Sequence, residues 1–113
     1  VKCINETTGK LIADKLVMKD TFWGRLVGLL SSRGLEKGGG IVLKPCTQIH
    51  TCFMRFPIDV IFADKNFNVV YVREKMTAWR FSPLVLKSLY AVELASGALE
   101  GSVKVGDKIS FNG

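Results

Sequence analysis

The stretch Ile49-His50-Thr51-Cys52-Phe53-Met54-Arg55-Phe56-Pro57-Ile58-Asp59-Val60-Ile61-Phe62 decides how the chain is read. Pro57 fixes its own φ and has no amide hydrogen to give to a sheet ladder. A strand expected over 47–54 therefore ends at the Phe56-Pro57 bend, and another runs over 58–63. In the second strand Ile58, Val60 and Phe62 take one face, and Asp59, Ile61 and Ala63 take the other. Apart from Asp59 both faces are apolar. A carboxylate so flanked must be paired or protonated, because an isolated buried charge is costly. Arg55, His50 and Arg25 are its candidate partners, and the bend can bring Arg55 and Asp59 together.

Outward from this stretch, strand patterns continue over 68–73, 89–94 and 108–111, with a turn at Asp64-Lys65-Asn66, a short helical turn over 98–103 and another turn at Gly106-Asp107. Upstream, Gly38-Gly39-Gly40 leads into a strand over 40–44, and β-friendly runs over 1–5 and 11–18 flank a turn as a hairpin. Over 21–33 the period changes. Phe22, Leu26 and Leu30 stand four apart, as do Trp23 and Val27, which predicts an amphipathic helix capped by Asp20 or Thr21 and ended by Gly34. Residues 77–88 keep neither period and read as a surface loop pinned by Trp79 and Phe81. The expected class is α+β and β-rich: a curled antiparallel sheet or partial barrel with one main amphipathic helix over 21–33.

The 113 residues suffice for one domain over 1–113, and 48% hydrophobic against 23% charged residues excludes a disordered chain. The longest unbroken apolar runs, such as Val60 to Ala63, are four residues, whereas a membrane-spanning helix needs about 20. The formal charge of +6 favours anionic partners only weakly, since the cations are spread along the whole chain. Three cysteines, an odd number in a chain able to form its own core, point to a reducing compartment and so to the cytoplasm, with a removed export signal still compatible.

Several groups bear on chemistry. Cys46, His50 and Cys52 invite a zinc reading, but their spacing suits a strand and no fourth ligand is evident, so no metal and no cofactor are expected. The three glycines lack the Lys-Ser/Thr and the helix of a phosphate loop, and read as a connection. Asp59 and Glu93, acids within apolar strands, suit either a general acid and base pair or structural acids that hold amides or an arginine, and the structural role is favoured. Lys75 to Phe81 interleaves cations and aromatics as single-stranded nucleic-acid binders do, yet a single loop makes a poor stacking platform.

Several segments together resemble the DUF192, or UPF0127, family of small bacterial and archaeal proteins without an agreed activity. Thr21 with Arg25 and Gly28-Leu29-Leu30, then Gly40-Ile41-Val42-Leu43, are similar to its early motifs. The most specific stretch is 49–62, followed by Ser82-Pro83, Tyr90-Ala91-Val92-Glu93-Leu94 with Gly97, and Val105-Gly106-Asp107. Ala95-Ser96-Gly97 departs from the family's Pro-Ala-Gly. The resemblance implies one compact β-rich domain in which Arg25, His50, Arg55, Asp59 and Glu93 gather at one place. It implies no reaction.

The expected function is a non-catalytic binding module, monomeric, for a small molecule or a protein, with Trp79 and Arg80 as a surface contact. The alternative is a hydrolase or lyase that uses Asp59 or Glu93 as base with His50 and Arg55 orienting an anionic substrate. A weak nucleic-acid binder ranks third.

Overall fold

Alternating and continuous apolar runs become strands throughout the residues that the computed structural model describes, which are 1–19, 38–51 and 56–113. The strands are β1 (Lys2–Asn5), β2 (Lys10–Ala13), β3 (Lys15–Lys19), β4 (Gly39–Leu43), β5 (Ile58–Ala63), β6 (Val69–Met76), β7 (Tyr90–Ala95) and β8 (Ile109–Asn112). They form a three-stranded sheet in the order β2-β1-β8 and a five-stranded sheet in the order β3-β4-β7-β5-β6. Among the described residues only the β3–β4 pairing is parallel.

The two sheets share one core. Cys3, Ala13 and Ile109 from the smaller sheet meet Leu16, Val42, Ile61, Val69, Val92 and Leu94 from the larger, with Leu99 and Val103 closing the side. The opposite face of the larger sheet carries a second cluster of Ile41, Leu43, Ile58, Val60, Phe62, Met76 and Ala91, covered by Ile49. Strands β4 and β5 are buried along their whole length and β7 along all but its last residue, which explains why they read as near-continuous apolar runs. Gly40 is required by this packing. A Cβ there would meet the Glu93 carbonyl oxygen and stand 2.9 Å from both Leu16 Cδ2 and Leu94 Cδ2.

Three expectations are corrected. Among the described residues the architecture is all-β, two stacked sheets without a closed barrel, rather than α+β with one curled sheet or partial barrel. The helix expected over 21–33 lies outside the described residues. The single strand expected over 11–18 is broken at Asp14: the amides of Asp14 and Lys15 both donate to the Gly38 carbonyl, at 3.1 and 2.9 Å, and the chain crosses from one sheet to the other. The turn over 98–103 contains no helix; it folds back with Gly97 and Gly101 at φ of 88° and 75°.

Candidate functional site

Asp59 is fully buried, and register defines its surroundings. It pairs with Leu94 of β7 and so faces the core between the sheets, with Ile61 and Ala63. Opposite it on β6 stand two residues, Glu74 and Lys75, because Ile58 pairs with Met76 and Val60 with Arg73. Lys75 is the extra residue of this β-bulge, at φ 54°. Asp59 Oδ1 accepts the Lys75 amide at 2.8 Å, and Oδ2 accepts the Leu99 amide at 3.0 Å. One carboxylate thus clamps the bulge to the loop that follows β7. Glu74 Oε2 adds a nearby bond from the Gly101 amide, at 3.0 Å.

Glu93, also fully buried, pairs with Val60 on one side and Ile41 on the other, so its carboxylate belongs to the second cluster. Asp59 and Glu93 therefore lie on opposite faces of the same sheet and do not form one acid and base pair. Arg25 and Arg55 lie outside the described residues.

His50 is held in a short ribbon that covers the second cluster. The Thr51 amide donates to the Arg80 carbonyl at 2.9 Å and the Ser82 amide to the Ile49 carbonyl at 3.0 Å, which makes His50 and Phe81 a non-hydrogen-bonded antiparallel pair. Their side chains share a face, with ring centroids 5.9 Å apart. The alternate positions, Ile49, Thr51 and Ser82, are buried beneath them. Thr51 Oγ1 donates to the Thr77 carbonyl at 2.6 Å and accepts the Arg80 amide at 2.9 Å. The Trp79 amide donates to the Thr51 carbonyl at 3.1 Å, and Ser82 Oγ accepts the Ile49 amide at 2.9 Å.

The rings of Trp79 and Phe81 are not buried in the core. Trp79 and Phe81 are 58% and 66% exposed, Leu84 and Leu86 are 59% and 79%, and two buried hydroxyls hold the backbone instead. Trp79 sits at φ 62°, a region that costs a bulky L-residue about 1–2 kcal/mol and persists only when its surroundings impose it. Sequence reasoning placed Thr51 in a strand and quoted Ser82 only within the family resemblance, giving neither a role. Their signal was small hydroxyl residues in register with a core isoleucine.

Elsewhere, an open cavity of about 850 Å³ lies along β2 and the 95–100 loop, lined among others by Leu11, Asp14, Lys15, Gly38 and Gly97. Burial pushes the Cys3 thiol up to about 12. The Cys46 thiol donates to the Gln48 carbonyl at 3.3 Å, and Cys52 lies outside the described residues. Among the described residues no group of three or more His, Cys, Asp or Glu is placed to hold a metal ion, and no helix is long and apolar enough to cross a membrane.

The same fold also occurs in solved structures. The fold matches a protein of unknown function from Novosphingobium aromaticivorans with a TM-score of 0.81 at 18% identity, over 98% of this chain and 84% of that one. It matches a protein from Sinorhizobium meliloti, provisionally named a transcription regulator, with a TM-score of 0.75 at 17% identity, over 96% and 89% of the two chains. In sequence, the archaeal UPF0127 protein of Pyrococcus furiosus is 33% identical, over 96% of this chain and 97% of its own length. Residues 3–111 match the model of DUF192, described as "Uncharacterized ACR", and the chain belongs to that family.

Proposed function

We propose that the protein is a non-catalytic binding module and that residues 77–86 form its contact surface. The observation that carries this reading is the contrast within the ribbon: Thr51 and Ser82 are buried and hydrogen-bonded, while Trp79, Phe81, Leu84 and Leu86 face outward. Large apolar side chains concentrated on one fixed loop mark an interaction surface more than scattered ones do. The positive φ of Trp79 supports the same reading, since strain is retained where function uses the conformation. An enzyme using Asp59 or Glu93 is less well supported, because both acids are fully buried and Asp59 already accepts two amides. The provisional regulator name belongs to the Sinorhizobium protein alone.

The test is site-specific photo-crosslinking in cells, with a benzophenone side chain placed at Phe81 or, as control, at Lys10 on β2. Discrete adducts from position 81, to protein or to lipid, that are absent from position 10 are expected. No adduct from 81, or the same set from both positions, refutes the reading. Adducts sensitive to nuclease would transfer the function to nucleic-acid binding.

A further inference from the structure

Resting on that reading, we infer that the loop docks the protein on an anionic lipid bilayer, its apolar side chains entering the headgroup boundary and its cations facing lipid phosphates. From Lys75 to Val92 the chain contains no acid, and its cations Lys75, Arg80 and Lys87 are all exposed. The same segment carries the four exposed apolar side chains Trp79, Phe81, Leu84 and Leu86. A tryptophan, a phenylalanine and leucines edged by lysine and arginine form the composition that settles at a membrane interface. Charge complementarity selects an anionic surface, and the net charge of +6 acts in the same direction.

Each lysine or arginine near an anionic leaflet raises partitioning roughly fivefold. Lys87 is discounted because its charge already acts on Asp64. Lys75 is discounted too, because it stands with Glu74 opposite Asp59, on the face of the sheet away from the ribbon, and Arg80 then gives a preference of roughly fivefold for anionic over zwitterionic membranes. It should shrink with salt as the screening length falls to about 10 Å at 0.1 M.

Co-sedimentation of the full chain with vesicles of phosphatidylcholine, with and without one-third phosphatidylglycerol, tests this. Leu86→Ser is expected to weaken binding to the anionic vesicles roughly tenfold, and Arg80→Glu to remove most of the preference. Both positions are exposed, and melting curves check that both variants fold. Equal partitioning to the two vesicle types, or variants that bind as the wild type does, overturns the inference. If no vesicles bind while the crosslinker at position 81 still yields a discrete protein adduct, the loop is a protein contact and only the lipid assignment falls. Neither vesicles nor adducts would end both readings.

Discussion

Replacing Asp59 with asparagine keeps the shape of the side chain and removes one acceptor. Both carboxylate oxygens are in use, Oδ1 by the Lys75 amide at 2.8 Å and Oδ2 by the Leu99 amide at 3.0 Å. An asparagine offers one oxygen and one NH2 group, so in either orientation a backbone N–H faces another donor. The lost charge-assisted bond contributes about 1.5–3 kcal/mol, and a buried donor left unsatisfied costs about 1–3 kcal/mol. Local movement relieves part of this, and Asp59→Asn should destabilise the protein by about 3 kcal/mol. At this chain length that lowers Tm by about 12 °C. Urea unfolding should show a lower midpoint at unchanged slope, and hydrogen exchange should accelerate at the Leu99 and Lys75 amides ahead of the rest of β5 and β7. A loss below about 0.5 kcal/mol, the range of ordinary surface changes, would refute the clamp. Wild-type protection at both amides would do the same.

Gly40→Ala places a Cβ against the Glu93 carbonyl and two leucines, and should cost about 1–3 kcal/mol by overpacking, read as a lower urea midpoint. Thr51→Val retains the volume and removes the hydroxyl that bonds Thr77 and Arg80, and should cost about 1–3 kcal/mol while speeding amide exchange at Arg80. Asp107 is held below the usual carboxylate range, first by the Asn5 side chain and then by the Lys104 amide. In Asp64 burial pushes upward, but the Asn68 and Asn66 amides, the Asn68 side chain and Lys87 outweigh it. Both folded values are depressed, so their contribution is complete above the unfolded carboxylate range and is lost as pH falls through the folded values. Stability should hold from neutral pH to the upper edge of that range and then decline, less steeply in Asp107→Asn, as equilibrium unfolding across pH will show. With its thiol raised to about 12 by burial, Cys3 should resist iodoacetamide in the native state at mildly alkaline pH and react on denaturation, as peptide mass mapping will report.

Strand β5 was legible because its pattern is local: Pro57 stops the preceding segment, and Ile58 to Ala63 alternates with a single acid. That all six residues are buried is what the structure adds. The break at Asp14 was not legible, because Leu11 to Met18 is a plausible single strand until Gly38 brings its carbonyl to the amides of Asp14 and Lys15. Nor could sequence separate Asp59 from Glu93. Each is an acid in an apolar strand, and only the β5–β7 register, Asp59 with Leu94 and Val60 with Glu93, assigns them to opposite faces. The loop misled for a related reason. Trp79 and Phe81 are the most apolar groups in 77–82 and look like anchors, but the antiparallel pairing of His50 with Phe81 turns Ser82 and Thr51 inward and leaves the rings outside.

The β1–β8 pairing gives the molecule a mechanical weak direction. Lys2 is opposite Asn112 and Asn5 opposite Ile109, so the first residues of β1 and the last of β8 lie at the same end of one antiparallel ladder. Tension applied through those two ends loads the rungs one at a time and unzips them, instead of shearing all of them together. On the β1 side the Val1 backbone is held to Leu16 of β3 at 2.9 and 3.3 Å, and at the far end of the ladder the buried Asn5 amide grips the Ser102 carbonyl and Asp107 at 3.0 and 2.9 Å. Force on this pair of ends would therefore peel β8, the outer strand of the smaller sheet, while β1 stays held to β2 and, through Val1, to β3.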